Sequence, residues 1–305
     1  MFIKIPLFIF KNAMAKGDKK FNNSHKTFGT FSVMKDLPYI DDGDEFHKLD
    51  ILKPVLGSEN GITLFYIHGG GYIHGTKEDS RIFTSYFVDK GFTVISINYR
   101  LIDDEIDFKD QMNDVFDALN YIYQNRHNFE LDLSNLCLMG DSAGGHISLM
   151  LDLILHYEDI RNYYDIKSIP SLDIKCIALN STMYDFEGLI PFGLKYVTKR
   201  NLKRVLGKGC FDEDYISKNS PRYYVKKGYK FSPLLNTTSY NDMFNFQSLR
   251  LKKDAEKFSL NVKTFIETSP KKEIGHVYNH FLFTDEGEKC NNLMIKFFLD
   301  NCDIE

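Results

Sequence analysis

The sequence predicts an α/β fold: a mostly parallel sheet with helices on both faces and a small helical insertion. Three observations carry that expectation. Continuous β-branched runs alternate along the chain with segments of helical periodicity, the order expected of βαβ units. Strand-like runs such as "FTVISINYRL" are continuous and β-branched, as expected of strands covered on both faces. Two runs break directly into glycines, "HGGGY" from His68 and "GDSAGG" from Gly140.

The elements follow in order. The start, "MFIKIPLFIFKNAMAKGDKK", carries a lysine, an apolar block and Ala13-Met14-Ala15, which together suggest a signal peptide. The apolar block over 5–10 is short, however, contains Pro6 and is closed by Lys11. Residues 1–38 therefore read as an N-terminal amphipathic segment that packs on the body or cap, or lines a cleft. "FSVMKDLPYI" and "FHKLDILKP" are two strands around the turn signal Asp41-Asp42-Gly43-Asp44. A buried strand over 62–67 runs into the His68 glycines. "IFTSYFVDKG" is a helix ending at Gly91, and "FTVISINYRL" is the next strand.

Met112, Val115, Phe116, Leu119 and Ile122 then form one helical stripe. "NLCLMG" is a strand, and the segment after Gly145 is a helix. "DIKCIALNST" is again a strand. Residues 186–230 show no sheet pattern; they are partly helical and basic, and read as a cap or lid inserted into the sheet. The strand "KFSPLLNTTS", the helix "NDMFNFQSLRLKKDAEKF", the strand "NVKTFIET", a loop with His276 and a last helix complete the chain. There is no internal repeat or low-complexity linker, so residues 1–305 read as one domain.

Composition narrows the function classes. Hydrophobic residues at 43% and charged residues at 26% suit a globular chain with a sizeable core. The net charge of −4 gives no electrostatic reason to expect nucleic acid. Five cysteines are scattered and form no C-x-x-C pair, which argues against a disulfide framework or zinc site and for a reducing compartment. No apolar run reaches transmembrane length. The expectation is a soluble, cytoplasmic protein, and the sequence leaves a homodimer open.

The chemistry lies in the glycine motifs. Ser142 stands between a strand and a helix within G-x-S-x-G, the setting of a nucleophile elbow. Such a turn strains the serine backbone, so glycines stand where a Cβ would clash. It also puts the Ala143 amide at a helix N-terminus, where the dipole favours a developing negative charge. His68-Gly69-Gly70-Gly71-Tyr72 follows another strand, and a glycine run there lets backbone N–H groups face a ligand. Alone, that run would read as a flexible turn; two such features at adjacent strand ends do not.

Together these residues resemble the carboxylesterases of the hormone-sensitive-lipase-like group of the α/β-hydrolase superfamily, in which H-G-G-G-[aromatic] precedes G-D-S-A-G-G. The resemblance runs from about Tyr39 to the C-terminus and includes "INYRL". It implies an oxyanion hole from the amides of Gly70, Gly71 and Ala143. It also implies that His68 holds the loop by hydrogen bonding, with Gly69, Tyr72 and Asp141 in support.

The acid and histidine should follow the serine in that order. Asp242 follows the strand "SPLLNTTS" at the start of a helix, where the fold delivers a carboxylate; the same position suits a helix N-cap. Asp185 is the alternative, and Asp254 reads as a solvated mid-helix residue. His276, in "GHVYN", resembles the catalytic histidine of the group. His280 reads as a packing or capping residue, and His146 as a first-turn helix residue under the elbow. The expected function is a serine carboxylesterase acting on small, short-acyl esters, with no metal or organic cofactor called for. The alternatives are a peptidase, amidase or deacetylase on the same scaffold, or a non-catalytic binding protein.

Overall fold

The computed structural model describes residues 6–303. Residues 1–5 and 304–305, and with them the beginning of the N-terminal segment discussed above, lie outside the described residues. Eight strands form one sheet: β1 (Phe31–Pro38), β2 (Lys48–Pro54), β3 (Thr63–Ile67), β4 (Thr93–Ile97), β5 (Leu136–Asp141), β6 (Ile174–Asn180), β7 (Leu234–Ser239) and β8 (Val262–Glu267). Their order is β1-β2-β4-β3-β5-β6-β7-β8. β1 and β2 pair antiparallel, and β2 pairs antiparallel with β4. All pairings from β4 to β8 are parallel.

The helices are α1 (Leu7–Ser24), α2 (Arg81–Asp89), α3 (Phe108–Asn125), α4 (Ala143–His156), α5 (Glu158–Tyr163), α6 (Phe186–Tyr196), α7 (Lys199–Leu206), α8 (Glu213–Lys218), α9 (Pro221–Lys226), α10 (Asn245–Phe258) and α11 (Asp285–Asn301). None of the described helices is long and apolar enough to cross a membrane.

The continuous apolar strands are explained by two cores, one on each face. Phe65, Ile67, Leu136 and Leu138 pack in one with α3 and α4, and their strand neighbours Leu64, Tyr66, Cys137 and Met139 pack in the other with α2 and α11. Side chains alternate across a strand, so a strand with a core on both faces is apolar at nearly every position, with a small polar residue such as Ser96 the exception. The predicted stripe on α3 is buried. That helix starts with a capping box: Asp107 accepts the Lys109 and Asp110 amides, and Asp110 accepts the Asp107 amide in return.

Residues 186–230 fold as four short helices, α6–α9, between β6 and β7. They are the helical insertion the sequence predicts, and caps start three of them: Asp185 accepts the Gly188 amide, Thr198 that of Asn201, and Asp212 that of Tyr215. At the other end of the chain, Leu7 and Met14 of α1 pack against the core. Asp18 of α1 meets His74 Nε2 at 2.6 Å, beside the His68 glycine loop.

The strand order positions the site. From β3 the sheet grows to one side through β4 and to the other through β5, so the crevice between the carboxyl ends of β3 and β5 is a topological switch point. His68 follows β3 and Ser142 follows β5, and both therefore face that crevice.

Candidate active site

Ser142 has φ 53° and ψ −115°, left-handed backbone for a residue with a side chain. Such a conformation costs on the order of 1–3 kcal/mol and persists only where the surroundings enforce it. Here the Ser142 amide donates to Asn180 O at 3.0 Å, and the Met183 amide donates to Ser142 O at 3.2 Å. A Cβ on Gly140 would lie 2.6 Å from Gly144 O, and one on Gly144 would lie 2.1 Å from Ile67 O. The glycines let α4 start against β3, which is what turns Ser142 outward.

Three strand ends then converge. His276, in the loop after β8, places Nε2 2.9 Å from Ser142 Oγ and Nδ1 2.9 Å from Asp242 Oδ1. Asp242, after β7, is buried and also accepts from the Phe244 amide at 2.8 Å and the Thr238 hydroxyl at 3.2 Å. Burial pushes its pKa up, but the hydrogen bond and charge of His276, with the Phe244 amide and Ser181, outweigh that and leave it below the usual carboxylate value. An ionised Asp242 can only accept, so His276 donates Nδ1–H and turns the lone pair of Nε2 to the Ser142 hydroxyl. That arrangement can deprotonate the serine as it attacks an electrophile.

Asp242 is no helix N-cap, since α10 begins three residues later with Phe244 in that place. Asp185 lies elsewhere: it caps α6 and takes two 2.8 Å bonds from Arg250 Nη1. Asp254 is buried rather than solvated, because Arg222 Nε bonds its carboxylate at 2.7 Å.

The glycine loop passes against the elbow. A Cβ on Gly69 would sit 2.9 Å from Asp141 O and 3.3 Å from Ser142 Cβ. Gly70 has φ +114° and closes a tight turn whose carbonyl accepts the amides of Ile73 and His74. Among the described residues, no hydrogen bond engages the Gly70 and Gly71 amides. His68 is buried against Tyr99, with ring centroids 4.4 Å apart, and its Nδ1 lies 2.7 Å from Gly69 O. Desolvation lowers its pKa to about 4, so the ring is neutral and Nδ1–H donates to that carbonyl. Tyr72 is buried, its hydroxyl 2.7 Å from His146 Nδ1, and burial brings His146 down to about 3.

Buried neutral histidines have a cost in acid. Unfolded histidine titrates near 6.5, so below that pH the unfolded chain takes up protons that folded His68 and His146 refuse. Their contribution to stability is complete above the unfolded value and is lost as pH falls through it. Each should steepen the loss by about 1.4 kcal/mol per pH unit until its own folded pKa is reached. Urea unfolding at pH 7 and pH 5 checks this: His146→Gln, which keeps an acceptor for Tyr72, should flatten the slope by about that amount. An unchanged slope would mean that His146 is charged in the fold.

Asp141 ties the elbow to the histidine loop. It accepts from Tyr66 Oη at 2.9 Å, Asn279 Nδ2 at 2.8 Å and His280 Nε2 at 2.8 Å. His280 therefore packs on Phe83, centroids 4.0 Å apart, and also pairs with Asp141. The Val277 amide donates to Ser181 Oγ at 2.9 Å, a second anchor for the loop. Sequence reasoning missed Tyr66, Ser181, Thr238 and Asn279; three of them end strands on the catalytic edge or lie just beyond, which is the one signal that could have marked them.

Two acidic groupings lie near each other among the described residues. Asp36, Asp50 and Glu78 surround the Lys77 ammonium, which satisfies them. Asp18, His74 and Asp79 flank the glycine loop, where Asp18 pairs with His74 and Asp79 with Thr76. Neither grouping includes Ser142, His276 or Asp242.

An eight-stranded sheet of this order, with a strained serine after its fifth strand facing histidine and aspartate from later strand ends, defines the α/β-hydrolase fold. The chain belongs to the BD-FAE family, whose model matches residues 49–254. Over 133 residues it is 29% identical to a protein of Acanthamoeba polyphaga mimivirus named as an alpha/beta hydrolase, a match spanning 43% of this chain and 38% of the relative's length. A tributyrin phosphonate-inhibited structure of esterase B from Lactobacillus rhamnosis superposes with a TM-score of 0.85 at 21% identity, covering 94% of this chain and 91% of that one. A bacterial heroin esterase does so with a TM-score of 0.72 at 18% identity, covering 99% and 95%. An esterase of the bacterial hormone-sensitive lipase family gives 0.68 at 17%, covering 94% and 89%. At these identities the likeness to solved structures is one of fold.

Proposed function

We propose that this protein is a serine carboxylesterase that hydrolyses small, short-acyl carboxylic esters through an acyl-enzyme. The observation that carries the reading is the single imidazole of His276, bonded at 2.9 Å to both Ser142 and Asp242. His276 takes the hydroxyl proton as Ser142 Oγ attacks the ester carbonyl, and Asp242 stabilises the imidazolium that results. The amides of Gly70, Gly71 and Ala143 receive the oxyanion, each donor being worth about 10²–10³ in rate. His276 then protonates the departing alcohol, and a water activated by the same ring releases the acid.

An apolar wall beside the imidazole suits small acyl or alcohol groups: Phe244 meets His276 edge-on at 5.0 Å, and Phe192 lies 4.9 Å beyond. The tributyrin-based inhibitor of the Lactobacillus esterase agrees with short chains. The helices α6–α9, which supply Phe192, serve as the cap. The test is labelling of the purified protein by a fluorophosphonate probe, together with turnover of p-nitrophenyl acetate and butyrate. Labelling at Ser142 with turnover falling as the acyl chain lengthens is the expected result; an unlabelled protein overturns the reading.

A further inference from the structure

Three cysteines that lie far apart in the sequence meet at the edge of the sheet opposite the catalytic one. Cys137 near the start of β5 has its Sγ 3.5 Å from that of Cys176 on β6 and 3.4 Å from that of Cys302, just after α11. All are free thiols; Cys137 and Cys176 are buried, while Cys302 reaches solvent. The approach of Cys302 is held by a reciprocal clamp. Asn135 Nδ2 donates to Asp303 O at 2.9 Å, and the Asp303 amide donates to Asn135 Oδ1 at 3.1 Å. A side-chain amide thus pairs with the Asp303 backbone much as a strand would, and sets the neighbouring sulfur against Cys137.

We propose that Cys302 and Cys137 are a redox-sensitive thiol pair that closes to a disulfide under a peroxide oxidant and staples the end of α11 to the strand that carries Ser142. The chemistry balances in two steps. The Cys302 thiolate attacks one peroxide oxygen, the O–O bond breaks, and Cys302 sulfenic acid and hydroxide form. Cys137 then attacks the sulfenic sulfur, its proton leaves with the displaced hydroxyl as water, and the S–S bond forms. The two thiols lose two electrons and the peroxide gains them.

The environment sets the roles. Hydrogen bonds from the Cys137 and Cys176 thiols, with Lys175 nearby, lower the Cys302 pKa, while Cys137, donating to its neighbours in a buried site, is raised. Cys302 is therefore the thiol a peroxide meets and ionises first, and Cys137 resolves it. The inference stands apart from the esterase reading, since none of these residues touches the serine, histidine or aspartate.

The experiment treats the full-length protein with hydrogen peroxide, alkylates remaining thiols and maps proteolytic peptides by mass spectrometry. A peptide joining Cys137 to Cys302 should appear, revert with dithiothreitol, persist in Cys176→Ser and vanish in Cys302→Ser. The oxidised wild type should unfold about 5 °C higher, because the link closes a long loop of the unfolded chain, and Cys302→Ser should show no such gain. Recovery of both cysteines alkylated, arrest of Cys302 at sulfinic or sulfonic acid, a Cys137–Cys176 link instead, or an unshifted Tm would each overturn the staple.

Discussion

Ser142→Ala should lower kcat/KM on p-nitrophenyl butyrate by roughly 10⁵–10⁶-fold, with the melting temperature within a few degrees of wild type. On the proposed mechanism the loss follows from the single-atom role of Oγ: without it no acyl-enzyme forms, and His276 has no proton to take. What should remain is the contribution of the proposed glycine-loop amides and of substrate binding, expected to exceed the uncatalysed rate. The fold should survive because the constraint at the elbow is in the backbone. Alanine keeps φ 53° as serine does, and the bonds that enforce it run through the Ser142 amide and carbonyl. Steady-state kinetics and fluorophosphonate labelling read the outcome together. A variant that keeps a tenth of the activity would place the nucleophile elsewhere.

The sequence shows the fold wherever burial is complete on both sides. β3 to β6 are legible as largely apolar runs, broken only at positions such as Ser96 and Lys175, and their helices as stripes such as Met112 to Ile122. The glycine motifs are legible for a different reason, since close backbone approach admits no other residue: Gly144 lies against Ile67 O and Gly69 against Ser142. Asp242 and His276 are harder, being ordinary residues whose meaning comes from the strand each follows. Beyond that point the one-dimensional pattern fails. Asp254 looks solvated until Arg222, distant in sequence, is seen to cover it. Ser181 and Asn279 carry no pattern of their own, because each acts on one atom brought to it by a distant segment, and Thr238 meets Asp242 only through the turn that ends β7. Cys137, Cys176 and Cys302 are scattered along the chain yet adjacent, for the same reason.

Asp242→Ala should lower kcat by about 10⁴-fold, and it separates the two aspartates that the sequence offers as the acid. Alanine removes both the acceptor that fixes the His276 tautomer and the charge that steadies the imidazolium. Asp242→Asn distinguishes those contributions. In the wild type, Oδ1 accepts from His276 and from the Phe244 amide at once. A carboxamide that keeps its oxygen there preserves the tautomer and loses only the charge, so it should retain more activity than the alanine variant while falling at least ~10²-fold below wild type. One that turns its NH₂ to His276 forces the proton onto Nε2 and should match the alanine variant. Asp185→Asn should behave otherwise. Its carboxylate faces Arg250 and the Gly188 amide and bonds none of Ser142, His276 and Asp242, so turnover per folded molecule should change less than about threefold. Stability should drop by about 1–3 kcal/mol as Arg250 loses a charged partner and the cap weakens. Kinetics normalised to folded protein, beside urea unfolding of each variant, decide the matter: a catalytic collapse in Asp185→Asn with Asp242→Ala spared would move the acid to β6.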